Sequence, residues 1–315
     1  MSEPTEARAS RIGLTVGPVL TYWSRAQLMA FYAEIAESPA DTVVLGEVVC
    51  SRRREMKQGD WITLGRDLRA AGKQVLLATQ ALLESESDLR LLRRIAAQGE
   101  FGVEAGDVAA VHQLAGQVPF VLGPHVNVYN QRALQEYARL GAVGWVAPAE
   151  LALDTVACVN PPAGPVAALD GTPIATEVFG FGRLPLAFSA RCFTARHHRL
   201  NKDECGFRCM EDPDGLLLSS SEGQPFLVLN GTQTQSAAQH CLIGERRALR
   251  AAGVSRLRLS PCASGLRDVI GWFDRVMNQG APAREATAAL QAMSLPGGLA
   301  NGYAHGRPGL EWAPT

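Results

Sequence analysis

TVVLGEVVCSRRREMKQGDWITLGRDLRAAGKQVLLAT, residues 42–79, decides the fold. Thr42–Gly46 is a short aliphatic run, as a strand buried on both faces requires. Asp60–Ala71 carries apolar residues at helical spacing, and Gly72 supplies the stop signal. Val75–Thr79 is a second apolar run. Strand, helix and strand with no hairpin turn between them predict a parallel βαβ unit.

Outward from this unit the alternation persists. Arg11–Leu20 reads as a first strand. Ser24 and Gln27 form a capping box before a helix with Leu28, Phe31 or Tyr32, and Ile35 on its apolar face. Ser87–Gln98 is a helix, and Phe101–Glu104, Pro119–Gly123 and Ala142–Ala147 are strands. Helices are expected near 107–116, 131–140 and 149–158. The stretch 159–173 is rich in Pro, Gly and Ala and reads as a loop. Ile174–Phe179 is a strand with no helix pattern after it. Phe226–Leu229 and Val254–Leu259 are strands, each expected to lead into a helix. The expected architecture is α/β, a (β/α)₈ TIM-barrel-like fold with an irregular cysteine-bearing insertion after a late strand. One of the nine strand candidates is surplus to such a barrel. Residues 1–315 read as one barrel-like domain, with a cysteine-rich loop at about 185–224 and a C-terminal tail at about 295–315 wrapping its surface.

A net charge of −1 gives no general attraction to nucleic acid, although a local basic patch remains compatible with it. No run of about 18 apolar residues suggests a membrane span. The polar opening MSEPTEARAS lacks an export signal, so a cytoplasmic location is expected. Seven cysteines in a reducing compartment point to core thiols, metal ligands or redox groups rather than disulfides.

Three of them form the densest constellation. Arg191-Cys192 and Arg196 precede Lys202-Asp203-Glu204-Cys205 and Arg208-Cys209, a C-x12-C-x3-C spacing. Thiols four apart can reach one metal or cluster from a turn. Cysteine sites with four sulfurs are usual for both iron–sulfur clusters and structural zinc, so one ligand is missing. Cys50 is the candidate, because it lies just past a strand end, and loops after barrel strands gather on one face. Arg52, Arg53, Arg54, Arg191, Arg196 and Arg208 flank these cysteines. They would favour thiolate, offset the charge of a cluster, or hold an anionic substrate. Cys158 and Cys241 read as core thiols, and Cys262 is open. Glu47 and Glu177, near strand ends, are either acid–base groups or structural carboxylates. His125 and Asn127 follow a strand and could face the site. His197 and His198 flank the cysteine loop. Gly180-Phe-Gly182 lacks the third glycine of a dinucleotide fingerprint, and no P-loop, Gly-x-Ser-x-Gly or His-Glu-x-x-His is present.

Several words are similar to a known family. GPVLTYW at 17–23, LGEVVCSRR at 45–53, Lys57-x-Gly59-Asp60-Trp61, LPLAFSARCFTAR at 184–196 and Lys202-Asp-Glu-Cys205-x3-Cys209 resemble the UbiV branch of the family named for collagenase-like peptidases. The likeness runs from about residue 12 to Asn301-Gly-Tyr303. Many relatives carry a cysteine seven residues before the counterpart of Cys192. Pro185 stands there in this chain, and Cys50 would replace it, as in the UbiV pattern.

The resemblance implies a [4Fe–4S] cluster on Cys50, Cys192, Cys205 and Cys209. It implies a heterodimer with a UbiU-like protein, work alongside a UbiT-like lipid carrier, and oxygen-independent hydroxylation of ubiquinone precursors with prephenate as oxygen donor. The chain would be a redox subunit rather than a peptidase. Two other roles remain open: a non-catalytic partner that stabilises UbiU, and a zinc-stapled protein acting in RNA base hydroxylation.

Overall fold

The computed structural model describes residues 11–293 and 295–314. Strands β1 (Gly13–Val16), β2 (Thr42–Leu45), β3 (Gln74–Ala78), β4 (Gly102–Ala105), β5 (Phe120–Leu122), β6 (Ala142–Val146) and β7 (Ala175–Gly182) pair in parallel, in chain order. Leaving β7, the chain makes an excursion through β8 (Pro185–Phe188), β9 (Leu216–Ser219), β10 (Pro225–Asn230), β11 (Gln233–Ser236) and β12 (Gln239–Cys241). It returns as β13 (Arg256–Leu259), which pairs in parallel with both β7 and β1. Eight parallel strands therefore close into a barrel of the expected class.

Helices alternate with these strands: α1 (Arg25–Ala36), α2 (Gln58–Ala70), α3 (Glu86–Ala96), α4 (Val108–Leu114), α5 (Gln131–Arg139) and α6 (Leu153–Val159). The capping box of α1 is formed, with Ser24 Oγ accepting from the Gln27 amide and Gln27 Oε1 accepting from the Ser24 amide. Gly46, at the end of β2, has φ +131°, and a Cβ there would lie 2.9 Å from the Ala78 carbonyl. Only glycine lets the β2 exit pass so close to β3.

The surplus strand is Phe226–Leu229. It belongs to a separate four-stranded antiparallel sheet in the order β8-β11-β10-β9. Instead of entering a helix it turns at Gly231 into β11. An apolar run alone does not distinguish a barrel strand from a hairpin strand. The cysteine-bearing stretch is more ordered than its composition suggests: it contributes β8, β9, the short helix α7 (Phe193–His197) and two 3₁₀ turns, Lys202–Glu204 and Arg208–Met210. Helix α8 (Arg246–Ala251) precedes β13, and α9 (Leu266–Gln279) and α10 (Ala283–Ala292) follow it. The tail adds β14 (Leu299–Ala300) beside β12.

Candidate thiol centre

The small sheet lies over the C-terminal ends of the barrel strands, where βα loops converge. Cys50 sits on the loop after β2. Its turn is closed by the Arg53 amide donating to the Cys50 carbonyl at 3.0 Å. Glu47 Oε1 accepts from the amides of Val49 at 2.9 Å and Cys50 at 3.1 Å. Glu47 is thus a loop-shaping carboxylate. Burial raises its pKa, against the opposing pull of Arg53.

Cys192 caps the N-terminus of α7, its Sγ accepting from the Ala195 amide at 3.4 Å. Cys209 is buried in the second 3₁₀ turn. The Cys209 thiol is pushed up to about 11 by burial first, then by the like charges of Cys192 and Cys50, with Arg53 opposing. Burial raises the Cys50 pKa as well. Hydrogen bonds tie the three stretches together: Arg53 of the Cys50 turn donates to the Asn230 carbonyl, Asn230 donates to the Cys209 carbonyl, and the Phe193 amide beside Cys192 donates to the Gly231 carbonyl. Cys205 joins them through the chain: it ends the first 3₁₀ turn, half-buried, four residues before Cys209. All seven cysteines are free; Cys241 is buried as expected of a core thiol, whereas Cys158, read as core, is exposed on α6. Among the described residues, no three His, Cys, Asp or Glu side chains are spaced to grip a single metal ion.

Arg53 occupies the centre of this neighbourhood. Its side chain is 2% exposed. It donates to the Leu20 carbonyl at 3.1 Å, the Asn230 carbonyl at 3.2 Å and Asn230 Oδ1 at 2.5 Å, and it reaches the Cys209 sulfur. Burial works against its charge, but Glu47, Cys209 and Cys50 outweigh that and raise its pKa. Arg52 is spent differently, pinning the cysteine loop through the Lys202 carbonyl and the Asp203 side chain at 2.6 Å. Lys202 pairs with Glu84. Arg191 and Arg196 are exposed.

Asn230 is the residue that sequence reasoning missed. Its Oδ1 accepts from the Tyr22 amide at 3.1 Å, and its Nδ2 donates to the Cys209 carbonyl at 2.9 Å and the Asp212 carbonyl at 3.2 Å. Next to it, Gly231 accepts from the Phe193 amide at 2.8 Å and so holds the start of α7. A polar residue ending an apolar strand is an available signal, but it does not say which turn the residue will clamp.

The other candidates lie in the barrel. Glu177 is 6% exposed and is a structural carboxylate here: it accepts from Arg258 Nε at 2.6 Å and Thr15 Oγ1 at 2.8 Å. Arg258 also pairs with Glu104 across the interior. His125 packs edge-on against Phe188 of the small sheet, ring centroids 4.6 Å apart. Its pKa falls to about 4, through burial and then the nearby Arg258 charge. With Thr79, Glu104, Arg258 and Ser260 it lines a cavity of about 20 Å³ at the barrel mouth. Asn127 is exposed and is not part of this lining. A second cavity, about 70 Å³, lies behind the Cys50 turn and is lined by Glu47, Arg53, Met56, Trp61 and Gln80 among others.

The sequence matches the description of peptidase family U32 over residues 27–314. The chain belongs to peptidase family U32. The match covers the U32 barrel from α1 onward, including the small sheet and all seven cysteines. Within this U32 chain the thiols of Cys50, Cys209, Cys241 and Cys262 all have raised pKa values, burial being the largest cause at each. A nucleophilic cysteine requires the opposite, a thiol pKa brought down by its surroundings. Among the described residues, no helix is long and apolar enough to cross a membrane.

Proposed function

We propose that this chain is a UbiV-type redox subunit of an oxygen-independent hydroxylase, binding a [4Fe–4S] cluster through Cys50, Cys192, Cys205 and Cys209. The observation that carries the reading is that Cys50 and Cys209 flank one buried guanidinium, Arg53, with Cys192 near enough to Cys209 to act on it. Burial is the largest reason Cys209 is pushed up, and charge on Cys192 and Cys50 adds to it. A bound cationic centre would remove that penalty, since metal coordination deprotonates a thiol outright. The donor set is four free thiols, two of them buried, which is the ligand chemistry that such a cluster takes.

When bound, a cluster with four cysteine ligands supplies one-electron transfer and leaves no iron position open. The chain's own residues do the rest. Arg52 and Lys202 hold the 202–205 turn against the barrel. Asn230 fixes the Cys209 turn, and Gly231 fixes the start of α7. The hydroxylation itself is assigned to a UbiU-like partner. A polyprenylated ring, insoluble on its own, would reach the complex on a UbiT-like carrier. Prephenate would donate the oxygen.

Anaerobic purification with iron and sulfide analysis tests this. About four irons and four sulfides per chain are expected. Ala variants of Cys50, Cys192, Cys205 and Cys209 should each lose them, while variants of Cys158, Cys241 and Cys262 keep them. A colourless protein with about one zinc would replace the redox reading with a structural staple. Ligand variants that still bind the partner but abolish hydroxylation would separate a redox role from mere stabilisation.

A further inference from the structure

Arg53 has more contacts than a solvated neighbour of a cysteine needs, and their arrangement is specific. One end of the guanidinium reaches the barrel, through the Leu20 carbonyl at 3.1 Å. The other reaches the small sheet, through the Asn230 carbonyl at 3.2 Å. The Tyr22 ring lies beneath it, centroid 5.2 Å away. The Arg53 amide closes the Cys50 turn at 3.0 Å, so backbone and side chain of one residue address two of the cysteines. The space is cut to fit: a Cβ on Gly231, where φ is +72°, would stand 2.6 Å from Arg53 Nη2. Among the described residues the only carboxylate paired with it is Glu47, at a loose 3.5 Å.

We propose that Arg53 is the positioning residue of the thiol centre and the fixed charge that sets the reduction potential of whatever that centre holds; this rests on the redox reading above. A full positive charge within reach of Cys209, on a side chain only 2% exposed, favours the state carrying one more electron. Neutralising it therefore lowers the potential. Geometry and charge separate by substitution. A lysine keeps the charge on a flexible stem but loses the planar fork. A methionine of similar length loses both.

The experiment is a dye-mediated potentiometric titration of anaerobic full-length protein, followed by electron paramagnetic resonance. Wild type, Arg53→Met and Arg53→Lys are compared, with iron content and melting temperature measured on each. Arg53→Met is expected to lower the midpoint by at least a factor of ten in the reduction equilibrium, about 59 mV for one electron. Arg53→Lys is expected to stay within about twofold of wild type while holding less iron. Arg53→Met with a full iron complement and an unshifted potential would overturn the proposal. So would Arg53→Lys falling as far as Arg53→Met, because charge would then not be the determinant. Should Arg53→Met fail to fold, Arg53→Lys decides alone: a midpoint near wild type upholds the charge role, and a tenfold fall refutes it. Wild type without iron would remove both this proposal and the reading beneath it. A loaded wild type with insensitive variants would remove this proposal only.

Discussion

Arg258, Glu104 and Glu177 sit inside the barrel at 2%, 3% and 6% exposure, where each charge is tolerable only because the others are present. Arg258→Met alone would leave two carboxylates facing each other without a cation. The expected loss is about 3–5 kcal/mol of stability, read from urea unfolding. A loss below about 1 kcal/mol would mean that water or protonation compensates. His240 makes the matching case for pH. It is 4% exposed, its Nδ1 has no partner among the described residues, and burial, then the His305 charge, bring its pKa down to about 4, against a partly opposing backbone contact at Phe179. The folded state therefore holds this imidazole neutral. Below about pH 6.5 the unfolded chain takes up a proton that the folded chain refuses. The contribution is complete above that pH and lost as pH falls towards 4, about 3 kcal/mol in all. His240→Gln should flatten the fall of the urea midpoint between pH 6.5 and 4.5. An unchanged slope would assign the acid sensitivity to other groups.

At the level of elements, the β10–β11 turn is the joint between sheet and barrel. Asn230→Ala removes the acceptor for the Tyr22 amide and the donor to the Cys209 and Asp212 carbonyls. Buried partners left unmade cost about 1–3 kcal/mol. The variant should melt earlier and retain less iron. A variant that melts earlier but keeps its iron would show that the Cys209 turn does not need this clamp. This joint also marks how far the sequence could be read. The βαβ signal at 42–79 extends to a barrel because parallel strands demand crossovers, and the barrel places the loop carrying Cys50 on the face from which the chain departs for Cys192. The role of Asn230 was not legible, since its partner Arg53 is 177 residues away and no local pattern encodes that pairing. Phe226–Leu229 was legible as a strand but not as a member of a second sheet. Arg52 reads in sequence as a charge beside the cysteines, and in the structure its charge goes to the Lys202–Asp203 turn. Glu177 reads as a strand-end carboxylate in sequence, whereas its fate depends on Arg258, whose opposite number is fixed only when β13 closes the barrel.

Across the whole molecule, the barrel and the small sheet are held by different forces. The main apolar cluster draws on residues from Ile12 to Phe181 and again from Cys241 onward, and no residue of the excursion between them enters it. The small sheet is fastened mainly by Arg53, Asn230, Arg52 and the bond from Thr232 Oγ1 to the Val49 carbonyl at 2.7 Å, with Phe188 packed against a small cluster that includes Leu20, Val48 and Val49. Hydrogen bonds at a surface joint open at lower free energy than a packed barrel does. Stripping iron from the loaded protein with a chelator should therefore affect the two parts unequally. Without the proposed cluster Cys50 and Cys209 revert to neutral thiols, and segments 189–215 and 225–236 lose a common tether. Hydrogen exchange followed by mass spectrometry should show those segments exchanging faster in the stripped protein, with peptides from β1 to β6 unchanged. Uniform acceleration through the barrel would mean that the centre stabilises the whole fold. No acceleration anywhere would mean that hydrogen bonds alone hold the sheet, and that the thiols can be emptied and refilled without disturbing the surface presented to a partner.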